Sequence, residues 1–230
     1  MEYKLKIELI DYLSGFISDR RNQRFNEVIA NRINHLRIVL EDVYQAHNAS
    51  AVLRSCDCFG VQHVHFIENV NQMQISEDVA MGSSNWLTIH KHKGSENNTF
   101  STLSELKNNG YRIVATSLNQ KGYSLDDLPV NNKTALVFGT EINGISKTAI
   151  EMADDFVKIP MYGFTESFNI SVSAAICMYE TISRIRKSVP NYLLNEEEKT
   201  DVYLTWLKQS IENSDGLIQN FLKSNAFKIP

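Results

Sequence analysis

Residues 38–67 read IVLEDVYQAHNASAVLRSCDCFGVQHVHFI, and this stretch decides the fold class. The apolar run Ile38–Val43 is typical of a buried strand, and Ala49–Phe59 indicates a helix that ends at Gly60. Residues Val61–Ile67 alternate in polarity as a second strand does. A strand, a helix and a strand in this order predict a βαβ unit with parallel strands.

The rest of the chain continues this alternation of strands and helices. Further strands are predicted at Trp86–His90, Arg112–Ser117, Ala135–Phe138 and Phe156–Ile159, and helices at about 102–109, 146–153 and 169–186. The strand ALVF at 135–138 is apolar throughout, as strands buried on both faces of a parallel sheet are. About six strands therefore predict an α/β fold with a parallel sheet flanked by helices.

Helical segments are predicted on both sides of this core. Apolar residues from Phe25 to Leu36 recur at helical spacing, with Arg32 on the same face and the other arginines displayed outward. Beyond Pro190, residues 196–223 have the pattern of one or two amphipathic helices. The predicted organisation is a helical N-terminal extension at 1–37, a core at 38–187 and a helical C-terminal extension at 188–230.

The composition excludes several classes of protein. A net charge of -4, from 23 basic and 27 acidic residues, argues against binding nucleic acid by bulk electrostatics. The segment Arg20–Arg37 nevertheless holds five arginines and one acid, which is a local basic patch. No run of about 18 uncharged apolar residues predicts a membrane span, and the N-terminus has no apolar signal stretch, so we expect a cytoplasmic protein.

Cysteine and histidine positions do not predict a metal site. The three cysteines form no CxxC pair, so neither a disulfide framework nor a thiolate zinc site is indicated. His63 and His65, and likewise His90 and His92, share strand faces without a nearby carboxylate cluster. We interpret them as strand histidines.

Ligands of parallel α/β sheets bind outside the carboxyl ends of the strands, so the loops there are the candidate sites. Three such loops are unusual: HNASAVLR at 47–54, GTEING at 139–144 and PMYGFTESFNISVSAA at 160–175. In the first, Asn48 is a candidate N-cap and Arg54 a candidate functional cation or an ordinary surface arginine. The paired glycines of the second suit either a ligand lying against main chain or a tight turn. The chain has no GxGxxG, which argues against a dinucleotide-dependent oxidoreductase.

Together these segments resemble, in order and spacing, the three motifs of the SpoU/TrmH branch of the SPOUT-class RNA 2'-O-ribose methyltransferases. The stretches are HNASAVLRSCDCFGV, LVFGTEINGIS and IPMYGFTESFNISVSAA, and the likeness extends from about Arg20 to Arg186. It is strongest to the tRNA guanosine 2'-O-methyltransferases of that branch. The resemblance implies a parallel sheet with a C-terminal deep trefoil knot, S-adenosylmethionine bound in the knot, a homodimer, and methylation of an RNA ribose, in particular a D-loop guanosine of tRNA.

The resemblance also implies roles for individual residues. Arg54 matches the catalytic arginine, either as a base or as a phosphate clamp, and the other catalytic-motif residues are Asn48, Glu141, Ser167 and Asn169. The implied cofactor contacts are Thr116, Gly139, Ile159, Ser167 and Phe168. The candidate RNA-binding residues are Arg20, Arg21, Arg24, Arg32, Arg184 and Arg186.

Four features depart from the family pattern. Ser84 and Asn85 stand where a His and a Lys are frequent, and Arg184 and Arg186 are displaced by one step from the usual arginine pair. Glu166 replaces a common Gln, and Phe168 a common Leu. Because lost positive charge weakens phosphate contact, ribosomal RNA as the substrate and a non-catalytic RNA-binding factor remain alternatives.

Overall fold

The computed structural model describes residues 1–140 and 143–226, the last two of them by backbone alone. Contacts group the chain into two units, residues 33–192 and a terminal unit of 1–32 with 193–230. These divisions lie within five residues of the boundaries expected from sequence, 37/38 and 187/188, and the two terminal segments belong to one unit.

The described part of the chain contains nine helices, a seven-stranded sheet and two short 3-10 turns. The helices are α1 Tyr3–Ser14, α2 Asp19–Ile29, α3 Ala46–Phe59, α4 Glu77–Ala80, α5 Asn98–Asn108, α6 Lys147–Met152, α7 Ile170–Ser188, α8 Glu196–Ser210 and α9 Ser214–Ala226. The strands are β1 Leu36–Glu41, β2 His63–Ile67, β3 Thr88–His92, β4 Arg112–Thr116, β5 Tyr123–Ser124, β6 Thr134–Phe138 and β7 Asp155–Lys158.

The sheet is parallel throughout, with the strand order β3-β2-β1-β6-β4-β7-β5. This confirms the predicted fold class; the strand not anticipated from sequence is the two-residue edge strand β5. Strand β6, all five residues of which are buried, lies near the middle, as its uninterrupted apolar sequence requires. Gly60, in a left-handed conformation at φ 83°, ends α3 as predicted.

Alternate residues of the strands pack into two cores on opposite faces of the sheet. Ile38 and Leu136 are register partners in β1 and β6 and share one core with Leu53 of α3. Val39 faces the other core, which includes Ala149 of α6. The helix after β1 and the helix after β6 thus pack on opposite faces, and in open α/β sheets ligands bind at the carboxyl ends of strands where such a reversal occurs.

The sequence pattern predicts a longer second helix than the structure contains. The apolar spacing from Phe25 to Leu36 predicted continuous helix, but α2 ends at Ile29 and Leu36 begins β1. Ile33 instead forms a parallel bridge to Val61. The prediction was wrong because the apolar residues that continue the helical spacing, Ile33 and Leu36, make parallel β-pairings and do not extend α2.

The terminal unit is helical, and its core forms around Trp206, which is 2% exposed. Phe25 of α2 packs edge-on against the rings of Tyr203 and Trp206 in α8. Helix α8 begins with a capping box in which Asn195 and Glu198 satisfy each other's backbone amides. No helix within the described ranges is long and apolar enough to cross a membrane.

Candidate functional site

The first motif forms the start of α3, but Asn48 is not its N-cap. The helix begins at Ala46 with Gln45 as the N-cap residue, so Asn48 lies in the first turn and is buried, at 3% exposure. Its Nδ2 donates to Gln45 Oε1 at 3.1 Å. The N-cap prediction was wrong because the helix starts three residues earlier than its apolar pattern indicates, and the shift places the Asn48 amide in the protein interior.

The third motif contributes Asn169, the N-cap of α7. Its Oδ1 accepts hydrogen bonds from the Ser171 backbone amide at 2.9 Å and from Ser171 Oγ at 2.6 Å. Its Nδ2 donates to Asn48 Oδ1 at 3.0 Å. Residues 121 positions apart are therefore joined directly, and the hydrogen bonds fix the orientation of both carboxamides.

Packing between α3 and α7 holds this pair together. The two helices share one buried core, in which Cys56 of α3 and Met178 of α7 bring their sulfur atoms to 3.7 Å. Arg54 lies six residues beyond Asn48, about 9 Å further along the α3 axis. Its side chain is exposed, so its guanidinium is accessible to a ligand from solvent.

Three of the predicted cofactor residues come from neighbouring strands. Thr116 ends β4, Gly139 follows β6 and Ile159 follows β7, and these strands are adjacent in the order β6-β4-β7. Thr116 Oγ1 donates to the Val137 carbonyl at 3.1 Å, which links the ends of β4 and β6. The structure therefore brings these residues to one edge of the sheet, where ligands of such folds bind.

Gly139 is buried where the second motif folds back on itself. Thr140 and Gly144 exchange backbone hydrogen bonds at 2.9 and 3.0 Å. A Cβ at Gly139 would lie 2.1 Å from the Gly144 carbonyl oxygen and 2.3 Å from the Ile145 amide nitrogen. The close approach of the Gly144 and Ile145 main chain therefore requires a glycine at position 139. Glu141 lies outside the described residues.

The segment before Asn169 exposes its side chains. Ser167 and Phe168 are both exposed, with Phe168 at 43%, and Tyr162 and Phe164 extend almost fully into solvent. Ile159, at the start of this segment, is half-buried against the core that contains α3. Large apolar side chains next to a strand end offer contact area for a flat, partly apolar ligand.

The structure adds Glu41, which the sequence predictions did not include. This carboxylate ends β1 and is 2% exposed. Its Oε1 accepts from Thr99 Oγ1 at 2.5 Å and Ser146 Oγ at 2.6 Å, and its Oε2 accepts from the Ser146 amide at 2.9 Å. Because Ser146 is the N-cap of α6, Glu41 fixes the end of the second-motif loop against β1. The available signal was a pair of adjacent acids, Glu41 and Asp42, inside the otherwise apolar run IVLEDV.

The strand histidines form a stacked cluster across β2 and β3. His63 Nδ1 lies 3.1 Å from His90 Nε2, and His65 Nδ1 lies 2.9 Å from His92 Nε2. Burial, followed by the nearby Arg37 charge, lowers the pKa of His63 to about 3, and burial lowers the pKa of His90 to about 4. The rings are therefore neutral at pH 7. Among the described residues no group of His, Cys, Asp and Glu suits a metal ion.

The predicted RNA-binding arginines occupy different environments. Arg20, Arg21 and Arg24 are exposed on α2. Arg32 is only 1% exposed and its guanidinium lies 5.4 Å from the Trp206 ring centroid, so its assignment to an RNA-binding surface was wrong. The helix ends before Arg32, and the chain then turns this side chain inward.

The two arginines of α7 also differ from each other. Arg184 is half-buried and donates to the Leu125 carbonyl at 3.3 Å, which ties α7 to a 3-10 turn. Arg186 is exposed, with its guanidinium 5.6 Å from the Tyr192 ring centroid. Arg186 is therefore the more accessible of the two to an RNA phosphate.

Comparison with known proteins finds one family over most of this chain. The model of the SpoU rRNA Methylase family matches residues 35–179. A Borreliella burgdorferi protein named tRNA (guanosine(18)-2'-O)-methyltransferase is 44% identical over 218 residues, which is 95% of this chain and 98% of that protein.

Two solved structures extend the comparison. The Aquifex aeolicus TrmH/SpoU tRNA modifying enzyme is 32% identical, with a TM-score of 0.75 over 85% of this chain and 98% of that one. The Streptomyces viridochromogenes SpoU methyltransferase AviRb, solved in complex with AdoMet, shares the fold at a TM-score of 0.59 and 21% identity, over 70% of this chain and 65% of that one.

Proposed function

This chain belongs to the SpoU methylase family, and we propose that it transfers a methyl group from S-adenosylmethionine to the ribose 2'-hydroxyl of guanosine 18 in tRNA. The hydrogen bond from Asn169 to Asn48 carries the proposal, because it brings together a residue of the first motif and a residue of the third, both of which the resemblance assigns to the catalytic site. The relative named for this reaction matches almost the whole of both chains.

The cofactor site we propose lies at the carboxyl ends of β4, β6 and β7. Thr116, Gly139 and Ile159 would contact S-adenosylmethionine largely through main-chain groups, together with Ser167 and Phe168. The observation that favours this site is the convergence of three adjacent strand ends beside the half-buried Ile159 and the exposed Phe168. When bound, the cofactor supplies an electrophilic methyl group on a sulfonium.

The ribose 2'-hydroxyl must be aligned with that methyl group. As the hydroxyl oxygen bonds to the methyl carbon, the carbon–sulfur bond would break to leave a thioether, and the hydroxyl proton would pass to solvent. We assign the alignment to Arg54, which would hold the adjacent phosphate through a bidentate contact. A guanidinium holds its proton tightly and is a poor base, whereas the exposure of Arg54 on α3 suits a phosphate clamp. Asn48 and Asn169 would together position the reacting nucleotide, Asn169 through its exposed side chain and the buried Asn48 by holding the Asn169 carboxamide in place. Glu141 of the second motif is assigned to the same site.

Two further proposals concern architecture. We propose that the segment from β4 to α7 threads as a deep trefoil knot, since β6 inserts between β1 and β4 and α7 then returns to pack on α3. We also propose a homodimer, because α7 exposes the apolar side chains Val172 and Tyr179, which are seven residues apart and so lie on one helix face, and Phe164 before α7 is exposed as well. Such a patch on a small protein is typical of an interface.

We propose that RNA contacts Arg20, Arg21 and Arg24 of α2 in the terminal unit and, as a separate contact in the unit 33–192, Arg186 and to a lesser extent Arg184. The exposure of the α2 arginines supports this assignment. Arg24 lies 3.4 Å from Glu27, but an exposed pair of this kind is weak and leaves the arginine free to exchange partners.

The decisive experiment incubates the protein with labelled S-adenosylmethionine and either unmodified tRNA or a ribosomal RNA fragment, followed by mapping of the 2'-O-methyl position. We expect label at guanosine 18 of tRNA and none when that nucleotide is 2'-deoxyguanosine. Arg54→Ala should retain cofactor affinity but lose turnover by several orders of magnitude. Label in ribosomal RNA alone would favour the ribosomal substrate, and RNA binding without label would favour a non-catalytic RNA-binding factor.

A further inference from the structure

A cavity of about 500 Å³ lies beside the start of α3 and is not part of the proposed cofactor site. One wall is formed by residues 44–47, between β1 and α3, and the other by residues of the loop 70–74 that follows β2. The lining side chains are uncharged carboxamides, one tyrosine, one histidine and two small apolar residues: Tyr44, Gln45, Ala46, His47, Val70, Asn71, Gln72 and Gln74.

Hydrogen bonds hold the two walls in place without a ligand. Asp42 Oδ1 accepts the three consecutive backbone amides of residues 69–71, at 2.8, 2.8 and 3.2 Å. Asn71 Nδ2 returns a hydrogen bond to the Asp42 carbonyl at 2.9 Å. The far end of the loop is tied to α3, because the Ser76 amide donates to Ser50 Oγ at 2.8 Å. The cavity is therefore preformed, which reduces the entropic cost of binding.

The cavity is connected directly to the motif residues. Gln45 lines it and also accepts the hydrogen bond from Asn48, which in turn accepts from Asn169. A group bound in the cavity is thus one side chain away from the residues assigned to the reacting nucleotide. This proximity makes the cavity a candidate site for another part of the same nucleotide.

The chemistry of the lining favours a nucleobase. None of the described residues that line the cavity is a Lys or an Arg, so these residues offer a phosphate no cation of that kind. Carboxamides donate and accept simultaneously, as the edges of bases require, and within the described part of the chain no hydrogen bond occupies those of Gln72 and Gln74. The Tyr44 side chain is 72% exposed and offers a ring on which a base can stack.

We propose that this cavity holds the base of the nucleotide whose ribose is methylated, with Tyr44 stacking on the base and Gln72 and Gln74 reading its hydrogen-bonding edge. The inference rests on the proposed function, since it assumes that this site methylates an RNA nucleotide. It adds to that function a physical basis for the choice of base.

The first test measures stacking without requiring turnover. A tRNA with 2-aminopurine at position 18 is saturated with wild-type protein, Tyr44→Ala, Tyr44→Phe or Phe100→Ala, a control at an exposed aromatic residue of α5. Because stacking quenches 2-aminopurine, we expect at least twofold higher emission in the Tyr44→Ala complex than in the other three. Equal emission in all four complexes, or no binding of this tRNA by the wild type, overturns the proposal.

The second test measures specificity. We expect Tyr44→Ala to lower kcat/KM for tRNA about tenfold, with unchanged S-adenosylmethionine affinity. The double variant Gln72→Ala with Gln74→Ala should reduce the preference for guanosine over adenosine at position 18, and Phe100→Ala should match the wild type. Unchanged kcat/KM and preference would overturn the assignment. A Tyr44-dependent fluorescence signal without any methyl transfer by the wild type would instead refute the proposed reaction and leave the base site supported.

Discussion

Acidification from pH 7 to pH 5 should destabilise this protein through the histidines of β2. His65 Nε2 lies 3.5 Å from Arg37 Nη1, so it accepts from the guanidinium, and His65 Nδ1 must then donate to His92 Nε2. His63 Nε2 is buried without a hydrogen-bond partner among the described residues. A second proton on His65 would place its positive charge next to that of Arg37. A second proton on His63 would create a buried N–H donor without an acceptor.

The size and sign of the effect follow from the difference between the pKa of each ring in the folded protein and its pKa in the unfolded chain. Burial, with the Arg37 charge, lowers the pKa of His63 to about 3, and burial with neighbouring charges also lowers the pKa of His65. Unfolded histidine has a pKa of about 6.5, so below that pH the unfolded chain binds more protons than the folded one.

The stability contributed by these neutral rings is complete above pH 6.5 and falls as the pH is lowered. For each proton that the unfolded chain binds in excess of the folded one, the free energy of unfolding falls by about 1.4 kcal/mol per pH unit. Each ring therefore lowers the free energy of unfolding by about 2 kcal/mol between pH 7 and pH 5. His63 and His65 together cost about 4 kcal/mol, a large fraction of a typical folding free energy of about 5–15 kcal/mol. His90 and His92 add less, because solvent screens them more.

Urea unfolding followed by circular dichroism at pH 7, 6 and 5 measures this loss. His63→Gln keeps a side-chain donor toward His90 and cannot take up the proton, so it should lose about 2 kcal/mol less than the wild type over this range. His47→Gln, at an exposed histidine outside the cluster, should keep the wild-type slope. A free energy of unfolding that is constant from pH 7 to pH 5, or equal slopes for the wild type and His63→Gln, would refute the reasoning.

Three further substitutions test the contacts that shape the site, each read out by thermal unfolding. Gly139→Ala should cost about 2–4 kcal/mol, since its Cβ would overlap the Gly144 backbone, whereas Gly163→Ala has open space and should cost less than about 1 kcal/mol. Asn169→Ala removes an N-cap and an interhelical hydrogen bond, so we expect a loss of about 2–3 kcal/mol together with loss of methyl transfer; full activity would contradict its assignment. Glu41→Ala leaves buried donors unpaired and should cost about 2–4 kcal/mol, and an unchanged midpoint would show that water replaces the carboxylate.

Much of the candidate site was predictable because its residues lie in continuous motifs at strand ends. The strand ending at Phe138 and the start of the helix near residue 169 are both encoded by neighbours within a few residues. The partner of Asn169 was not predictable in this way, because Asn48 was interpreted as a cap and its actual partners depend on where α3 starts and on how α7 packs.

The sequence pattern also gave a wrong prediction where one helical spacing of apolar residues extends over a helix and the start of the next strand. The helical spacing from Phe25 to Leu36 is real in the sequence, but the strand pairing of Leu36 with Thr134 overrides it. Arg32, in the segment between the two elements, consequently packs on Trp206 instead of facing solvent. A prediction from neighbouring residues cannot include the energy of these contacts, because the partners lie about 100 or more residues away along the chain.

The sequence by itself determined the parallel α/β class, the end of α3 at Gly60 and the motifs that identify the family, because apolar periodicity, turn residues and motif spacing are properties of contiguous residues. Only the tertiary structure decided that Asn48 meets Asn169, that Glu41 binds Ser146 at the end of the second motif and that the approach of Gly144 to Gly139 excludes a side chain. These contacts form between elements that are distant in sequence, and their geometry depends on the packing of whole helices and strands.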